Sequence, residues 1–231
     1  MSRHPRIVRE AVESEGASYR ERPVDPARTA ILSVDMQEME VGLRERELAR
    51  QPGTKQNAHA AFYERVADVV IPAQRKILAA ARAAGVEVIF TVIESLTADG
   101  RDRSLDHKIS RLHAAKGSFE ARVIPEVGPQ GDEIIIPKTA SGIFNATNIE
   151  YVLRNLGVDY LVIMGVVTDQ CVESAIRDAA DRGFLVTMIE DGCAAYGDDN
   201  HRQSVEAMDG HYARVRTADA FVRELQASAQ K

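Results

Sequence analysis

Four side chains in this sequence combine reactive chemistry with positions where chemistry is commonly done. Asp35 closes the apolar run 30–35, Glu94 follows 86–93, Lys138 follows 133–137, and Cys171 lies just past 160–165. If those runs are parallel strands of one open α/β sheet, all four fall at its carboxyl edge, where such sheets bind ligands. Topology alone then brings a carboxylate, an ammonium and a thiol towards one edge.

Cys171 sits in G-V-V-T-D-Q-C-V, residues 165–172, where an apolar run gives way to a helical pattern. Thr168 or Asp169 is placed to cap that helix, which puts the thiol in its first turn. Free backbone N–H groups and the positive dipole end favour a thiolate there, and a nearby lysine would lower its pKa further. The same N–H groups can hold an oxyanion beside the sulfur. A lone intracellular cysteine is more often a buried packing residue, but a strand-to-helix turn favours the nucleophile. Asp35 is either a maker of loop hydrogen bonds or, beside a thiol that must lose its proton, a general base. Most lysines are solvated; one that follows I-I-I-P at the sheet edge can hold that carboxylate and favour thiolate and oxyanion. Glu94 is equally suited to a cap or to pairing with the basic loop after it.

The elements that must position these groups are legible as an alternation. Apolar, β-branched runs at 30–35, 86–93, 133–137, 160–165 and 184–190, with a weaker one at 212–217, are separated by helical patterns at 66–84, 147–156, 169–182, 201–208 and 219–227. This predicts a three-layer α/β/α sandwich around a mostly parallel, Rossmann-like sheet of about six strands. Gly85, Gly157 and Gly183 follow helical runs as left-handed caps. Thr147 and Glu150 have capping-box spacing, and Pro72 predicts a helix that begins near Val70. Two segments break the alternation. One is the polar stretch 36–58, with R-E-R-E-L-A-R as a short helix. The other is 97–122, whose six basic and four acidic residues suit either a solvated insertion or a lid over the site. Residues 1–28 read as an N-terminal arm and 29–231 as one domain.

Composition excludes several classes. The chain has 231 residues, 45 % of them hydrophobic, and a net charge of −6 from 29 basic and 35 acidic residues. The acidic balance argues against a nucleic-acid partner or an anionic membrane surface. No apolar run approaches the roughly 18 residues of a spanning helix, and the polar N-terminus is no signal peptide, so a cytoplasmic protein is expected. Cys171 and Cys193 form no disulfide framework, and Cys193 reads as packing. The six histidines show no metal-ligand spacing, with His107 and His113 expected in solvent. No phosphate-binding glycine motif occurs. No cofactor or metal is expected.

D-M-Q at Asp35, K-T-A-S-G-I-F-N-A-T from Lys138, G-V-V-T-D-Q-C-V, and the later D-A-A-D-R-G-F and E-D-G-C-A together resemble the isochorismatase-like cysteine hydrolases over residues 29–217. The resemblance implies a catalytic triad of Asp35, Lys138 and Cys171. It also implies a cis peptide between Val166 and Val167, and an oxyanion hole from the Val167 and Cys171 N–H groups. Isochorismatases proper do not use this cysteine, so its presence points to C–N bond hydrolysis. The Asp/His metal pair of nicotinamidases is missing from 36–53. The loop beginning E-S-L-T-A-D-G-R looks like the ureide- and carbamoyl-processing branches, implying a linear ureide such as biuret, triuret or ureidoacrylate. Glu94, Arg101, Gln37 and Phe144 are the expected substrate contacts, and a homo-oligomer, tetramer or dimer, is expected. The alternatives are another amidase of the family (N-carbamoyl amino acid, maleamate or nicotinamide type) or a non-catalytic binding protein of the same fold.

Overall fold

A computed structural model describes Glu10, Ala11 and Tyr19–Ser228. Six described strands form one sheet: β1 Thr29–Val34, β2 Glu87–Ile93, β3 Ile134–Lys138, β4 Tyr160–Val166, β5 Leu185–Ala194 and β6 Ala213–Arg216. Every pairing is parallel, in the order β3-β2-β1-β4-β5-β6. Parallel strands covered on both faces need apolar side chains at successive positions. Accordingly all six residues of β1 are buried, as are the last six of β2 and of β4.

The helices are α1 Glu38–Val41, α2 Leu43–Ala49, α3 Ala60–Arg65, α4 Ile71–Ala83, α5 Leu105–Ile109, α6 Ile143–Ala146, α7 Ile149–Asn155, α8 Glu173–Asp181, α9 Asp198–Met208 and α10 Ala218–Ser228. Helices α4 and α10 pack on each other and on the sheet, while α8 packs against β4, β5, α6 and α9. Gly85, Gly157 and Gly183 have φ of +66°, +71° and +81°, the left-handed conformation their capping positions require.

Two local expectations are corrected and one is extended. Helix α4 begins at Ile71 with Val70 as its N-cap and Pro72 in its first turn, as expected, but it continues without a break from α3 through a π-helical segment, Val66–Val70. A widened turn ahead of the proline relieves the clash of its ring with the preceding carbonyls. The capping box does not form. Thr147 Oγ1 accepts from the Ile149 N–H at 3.1 Å, but Glu150 turns to Arg182, 3.1 Å away. Finally, β5 continues past Glu190 to Ala194, because after a register shift it pairs Cys193 with Gly165 and Ala194 with Val166.

Gly165 of β4 lies against the Val34 backbone of β1. Its φ is +134°, and a Cβ there would stand 2.1 Å from the Val34 carbonyl oxygen. At the sheet margins, β3 carries Pro137, and the four-residue β6 is tied to Glu21 of the arm through Arg214 and Arg216. Arg214, 2 % exposed, donates to the Glu21 carbonyl, to Glu224 Oε2 at 3.0 Å and to Thr187 Oγ1 at 2.9 Å. The Val24 N–H donates to Glu224 Oε1 at 3.0 Å. The rest of the 1–28 arm lies outside the described residues.

Candidate active site

The strand order reverses between β1 and β4, opening a crevice at their carboxyl ends, the standard ligand position in this architecture. Asp35 is the first residue past β1 and has φ +54°, uncommon for a residue with a side chain but accessible to aspartate. Its N–H donates to the Thr91 carbonyl at 3.0 Å, and its Oδ1 accepts from Thr91 Oγ1 at 3.1 Å. Lys138 ends β3, in register with Ile93 of β2. Its ammonium passes beneath the crevice to lie 2.8 Å from Asp35 Oδ2 and 3.4 Å from Cys171 Sγ, and it also donates to the Ala140 carbonyl at 3.1 Å. Cys171 lies in a π-helical turn, Thr168–Val172, that follows β4 across a cis peptide between Val166 and Val167. Exposure of Asp35, Lys138 and Cys171 is 1 %, 0 % and 5 %, so the three groups meet almost out of water.

Burial sets the resting charges. The Cys171 thiol is pushed up to about 12, first by desolvation and then by the negative charge of Asp35, which the Lys138 charge does not offset. The shift is thus opposite to the lowering expected from a helix dipole and a nearby lysine, and the sulfur needs a base to take its proton. Burial alone would lower the Lys138 pKa, but Asp35 and Cys171 more than reverse that and hold it up. The resting site is therefore an ammonium next to a thiol that needs a base.

The turn that carries Cys171 is tied down by a chain of donors. Arg65 donates to the Cys193 and Glu190 carbonyls at 3.1 and 3.3 Å and faces His201 Nε2 at 3.0 Å. An arginine can only donate, so Nε2 accepts and the proton resides on Nδ1, which lies 2.9 Å from Thr168 Oγ1. Burial, then the Arg65 charge, lowers His201 to about 4 and keeps it neutral. Neither Thr168 nor Asp169 caps the turn as expected: Thr168 engages His201, and Asp169 accepts from Asn200 at 3.0 Å. Cys193 is fully buried in β5, where it packs.

Over the sulfur lies a cavity of about 210 Å³, walled by Glu40, Lys55, Ser141, Gln170 and Tyr196 and by Asp106, Ser110 and Leu112 from the charged loop. That loop is fastened across the site. Ser104 N–H donates to the Thr139 carbonyl and Ser95 N–H to Ala114, both at 2.9 Å, while Glu38 N–H donates to Arg122 at 2.9 Å. Segment 97–122 is thus an anchored cover that includes α5. His107, expected in solvent, is 1 % exposed, with its Nε2 3.4 Å from Ser141 Oγ.

None of the four expected substrate contacts lines this cavity. The Gln37 amide donates to the Ile93 and Glu120 carbonyls, both at 3.1 Å, and accepts from the Ile93 N–H at 2.6 Å, fastening β2 to the loop's exit. Glu94 accepts from the Gly117 N–H at 2.6 Å. Arg101 pairs at the surface with Asp99 at 3.0 Å. Phe144 is buried between the ring of Phe184 and the guanidinium of Arg182. Each is held by a structural partner that keeps it off the cavity wall. Sequence reasoning missed Glu40 and Ser141, although each lies close behind Asp35 or Lys138 in the chain. Lys55 and Tyr196 carried no spacing signal. Among the described residues no group of three His, Cys, Asp or Glu side chains could hold a metal, and no helix is long and apolar enough to cross a membrane.

The model of the isochorismatase domain matches residues 29–220. A ureidoacrylate amidohydrolase, RutB, of Rhizobium rhizogenes is 31 % identical over 228 residues, spanning 88 % of this chain and 86 % of the relative. Among solved structures, a cysteine hydrolase from Pseudomonas syringae pv. phaseolicola superposes with a TM-score of 0.73 at 28 % identity, covering 90 % of this chain and 96 % of that one. An N-carbamoylsarcosine amidase from Thermoplasma acidophilum gives 0.62 at 25 % identity, covering 83 % and 97 %.

Proposed function

The chain belongs to the isochorismatase family and is a hydrolase acting on non-peptide C–N bonds, and we propose that it cleaves a small linear ureide or carbamoyl amide through a covalent Cys171 intermediate. Its fold relatives include an N-carbamoylsarcosine amidase and its curated relatives ureidoacrylate amidohydrolases, so it is an amidohydrolase. One observation carries the chemical part: the Lys138 ammonium touches both the Asp35 carboxylate and the Cys171 sulfur at the crevice between β1 and β4.

In this reading Asp35 takes the thiol proton as the sulfur attacks the carbonyl carbon. A thiol raised by burial does not ionise unaided, which makes the adjacent carboxylate necessary. Two electrons of the C=O bond move onto oxygen, and the N–H groups of Val167 and Cys171 receive that oxyanion. The tetrahedral carbon then collapses, the C–N bond breaks, and protonated Asp35 gives its proton to the departing ammonia or amine. Water, deprotonated by Asp35, attacks the S-acyl carbon (a thiocarbamate where the substrate is a ureide), the C–S bond breaks to release the acid or carbamate, and the sulfur takes back the proton from Asp35. Lys138 keeps its proton throughout and balances the charge on oxygen, carboxylate and sulfur in turn. The chemistry calls on no metal or cofactor. Biuret, triuret and ureidoacrylate are the expected substrate types, supported by the polar cavity wall. The same reading takes the chain as a cytoplasmic homo-oligomer, dimer or tetramer, consistent with exposed Leu105, Ile109 and Phe119 on the cover.

The test is ammonia release over biuret, triuret, ureidoacrylate, N-carbamoyl amino acids, maleamate and nicotinamide, with Cys171→Ala and Cys171→Ser as partners. Turnover of a ureide should fall by roughly 10³-fold or more in both variants, with circular dichroism and melting unchanged. A serine variant at wild-type rate would remove the cysteine from the mechanism, and activity confined to nicotinamide would overturn the substrate class.

A further inference from the structure

The cavity over Cys171 opens into a second one. Glu40, Lys55, Leu112 and Tyr196 line it and also line a neighbouring cavity of about 230 Å³, so these four side chains form a neck between the two. Beyond the neck lie Glu45, Gln56, His59 and Tyr63. A ligand that placed its carbonyl on the sulfur and extended outward would pass Lys55.

Lys55 is the one lysine or arginine on the wall of either cavity, and among the described residues it has no ion pair or hydrogen bond. Of the acidic side chains on these walls, Glu45 and Glu40 face other partners, while Asp106 lies on the Cys171 side of the neck. Gln56 Nε2 donates to Glu45 at 2.5 Å, and Tyr196 O–H faces Glu40 Oε2 at 3.5 Å. Glu40 is also raised to about 7, first by burial and then by the Asp35 charge, so it carries only part of a negative charge at neutral pH. An unpaired ammonium at the neck of a cavity that leads to a nucleophile is a seat for an anion that arrives with the ligand.

We propose that Lys55 is a specificity-determining residue that holds the carboxylate of a ureido acid while the ureide carbonyl lies on Cys171. This rests on the amidohydrolase reading and narrows it: the substrate has a ureide at one end and an acid at the other, with a short spacer through the neck. Biuret and triuret, which lack the acid, then become poorer substrates than a ureido acid.

The experiment measures kcat and KM for 3-ureidopropanoate and for N-propylurea, its uncharged counterpart of equal length. Both are assayed with the wild-type enzyme and with Lys55→Ala, Lys55→Glu and Lys55→Arg. The wild-type enzyme should prefer the ureido acid. Its KM should rise about tenfold in Lys55→Ala, the scale of one lost charge-assisted contact. It should rise further in Lys55→Glu and stay within a few-fold in Lys55→Arg, with kcat little changed, while constants for N-propylurea do not move. Lys55 is exposed and outside the catalytic triad, so folding should be unaffected. An unchanged KM in Lys55→Ala, or equal losses on both compounds, would overturn the assignment. Wild-type turnover of N-propylurea but not of the acid would overturn it and leave the amidohydrolase reading standing. Release of ammonia from neither compound nor any amide of the panel would overturn that reading itself.

Discussion

Cys171 is held between two opposite charges. Lys138 favours its ionisation, Asp35 opposes it, and desolvation sides with Asp35. Removing the carboxylate should therefore make the sulfur more acidic while disabling the enzyme. In Asp35→Asn the thiolate absorbance near 240 nm should appear at lower pH than in the wild type, while ammonia release falls by roughly 10³-fold or more. Lys138→Met should move the titration the other way. A sulfur titrating identically in Asp35→Asn and wild type would separate Asp35 from Cys171. The convergence of Asp35, Lys138 and Cys171 was legible from the chain because each closely follows or ends an apolar run. The expected contacts Gln37, Glu94, Arg101 and Phe144 were not, because loop side chains take their direction from tertiary hydrogen bonds that no periodicity encodes. Gln37 shows this best: it lies two residues from Asp35, yet its amide spans β2 and the cover.

At the scale of elements, β1 and β4 must approach closely for the carboxylate and the thiol to share a crevice, and Gly165 permits it. Gly165→Ala would place a methyl group within the Val34 backbone and hold an alanine at φ +134°. We expect a loss on the order of 3 kcal/mol or more in chemical denaturation, with activity falling alongside. A variant of wild-type stability would mean that the two strands can separate without cost. Central strands were readable because sheets covered on both faces need continuous apolar sequence. Where β5 ends was not, nor was the π-helical segment that joins α3 to α4. The first depends on a register shift against β4, and the second on how a π-helical turn accommodates Pro72. The capping box failed for a similar reason: Arg182, brought in by the fold, competes for Glu150.

For the molecule as a whole, burial of both cysteines ties stability to alkaline pH. Cys171 and Cys193 are each raised from 9.0 to about 12, with desolvation first in both cases. Between those values the unfolded chain has released the two protons and the folded chain retains them, so stability falls as pH rises. The slope is at most about 1.4 kcal/mol per pH unit for each group. Lys138, also raised, adds to the loss at higher pH. Cys193→Ala, although less stable at pH 7 through its lost packing, should show a visibly flatter decline in denaturation midpoints between pH 9 and 11. His201 acts at the opposite end. Lowered from 6.5 to about 4, it costs stability as pH falls through that window, because the unfolded chain takes up the proton first. A Cys193→Ala curve parallel to wild type would refute the alkaline assignment.

The two margins of the sheet bear on how copies of this protein could meet one another. Pro137 leaves β3 one backbone donor short along its open side, and β6 is brief and tied through Arg214 and Arg216 to Glu21. Edge strands with free hydrogen-bonding groups are the usual route to runaway polymers. A short β6 and a proline in β3 leave any association between molecules to side-chain surfaces, which can saturate at a closed, countable assembly instead of growing into fibrils.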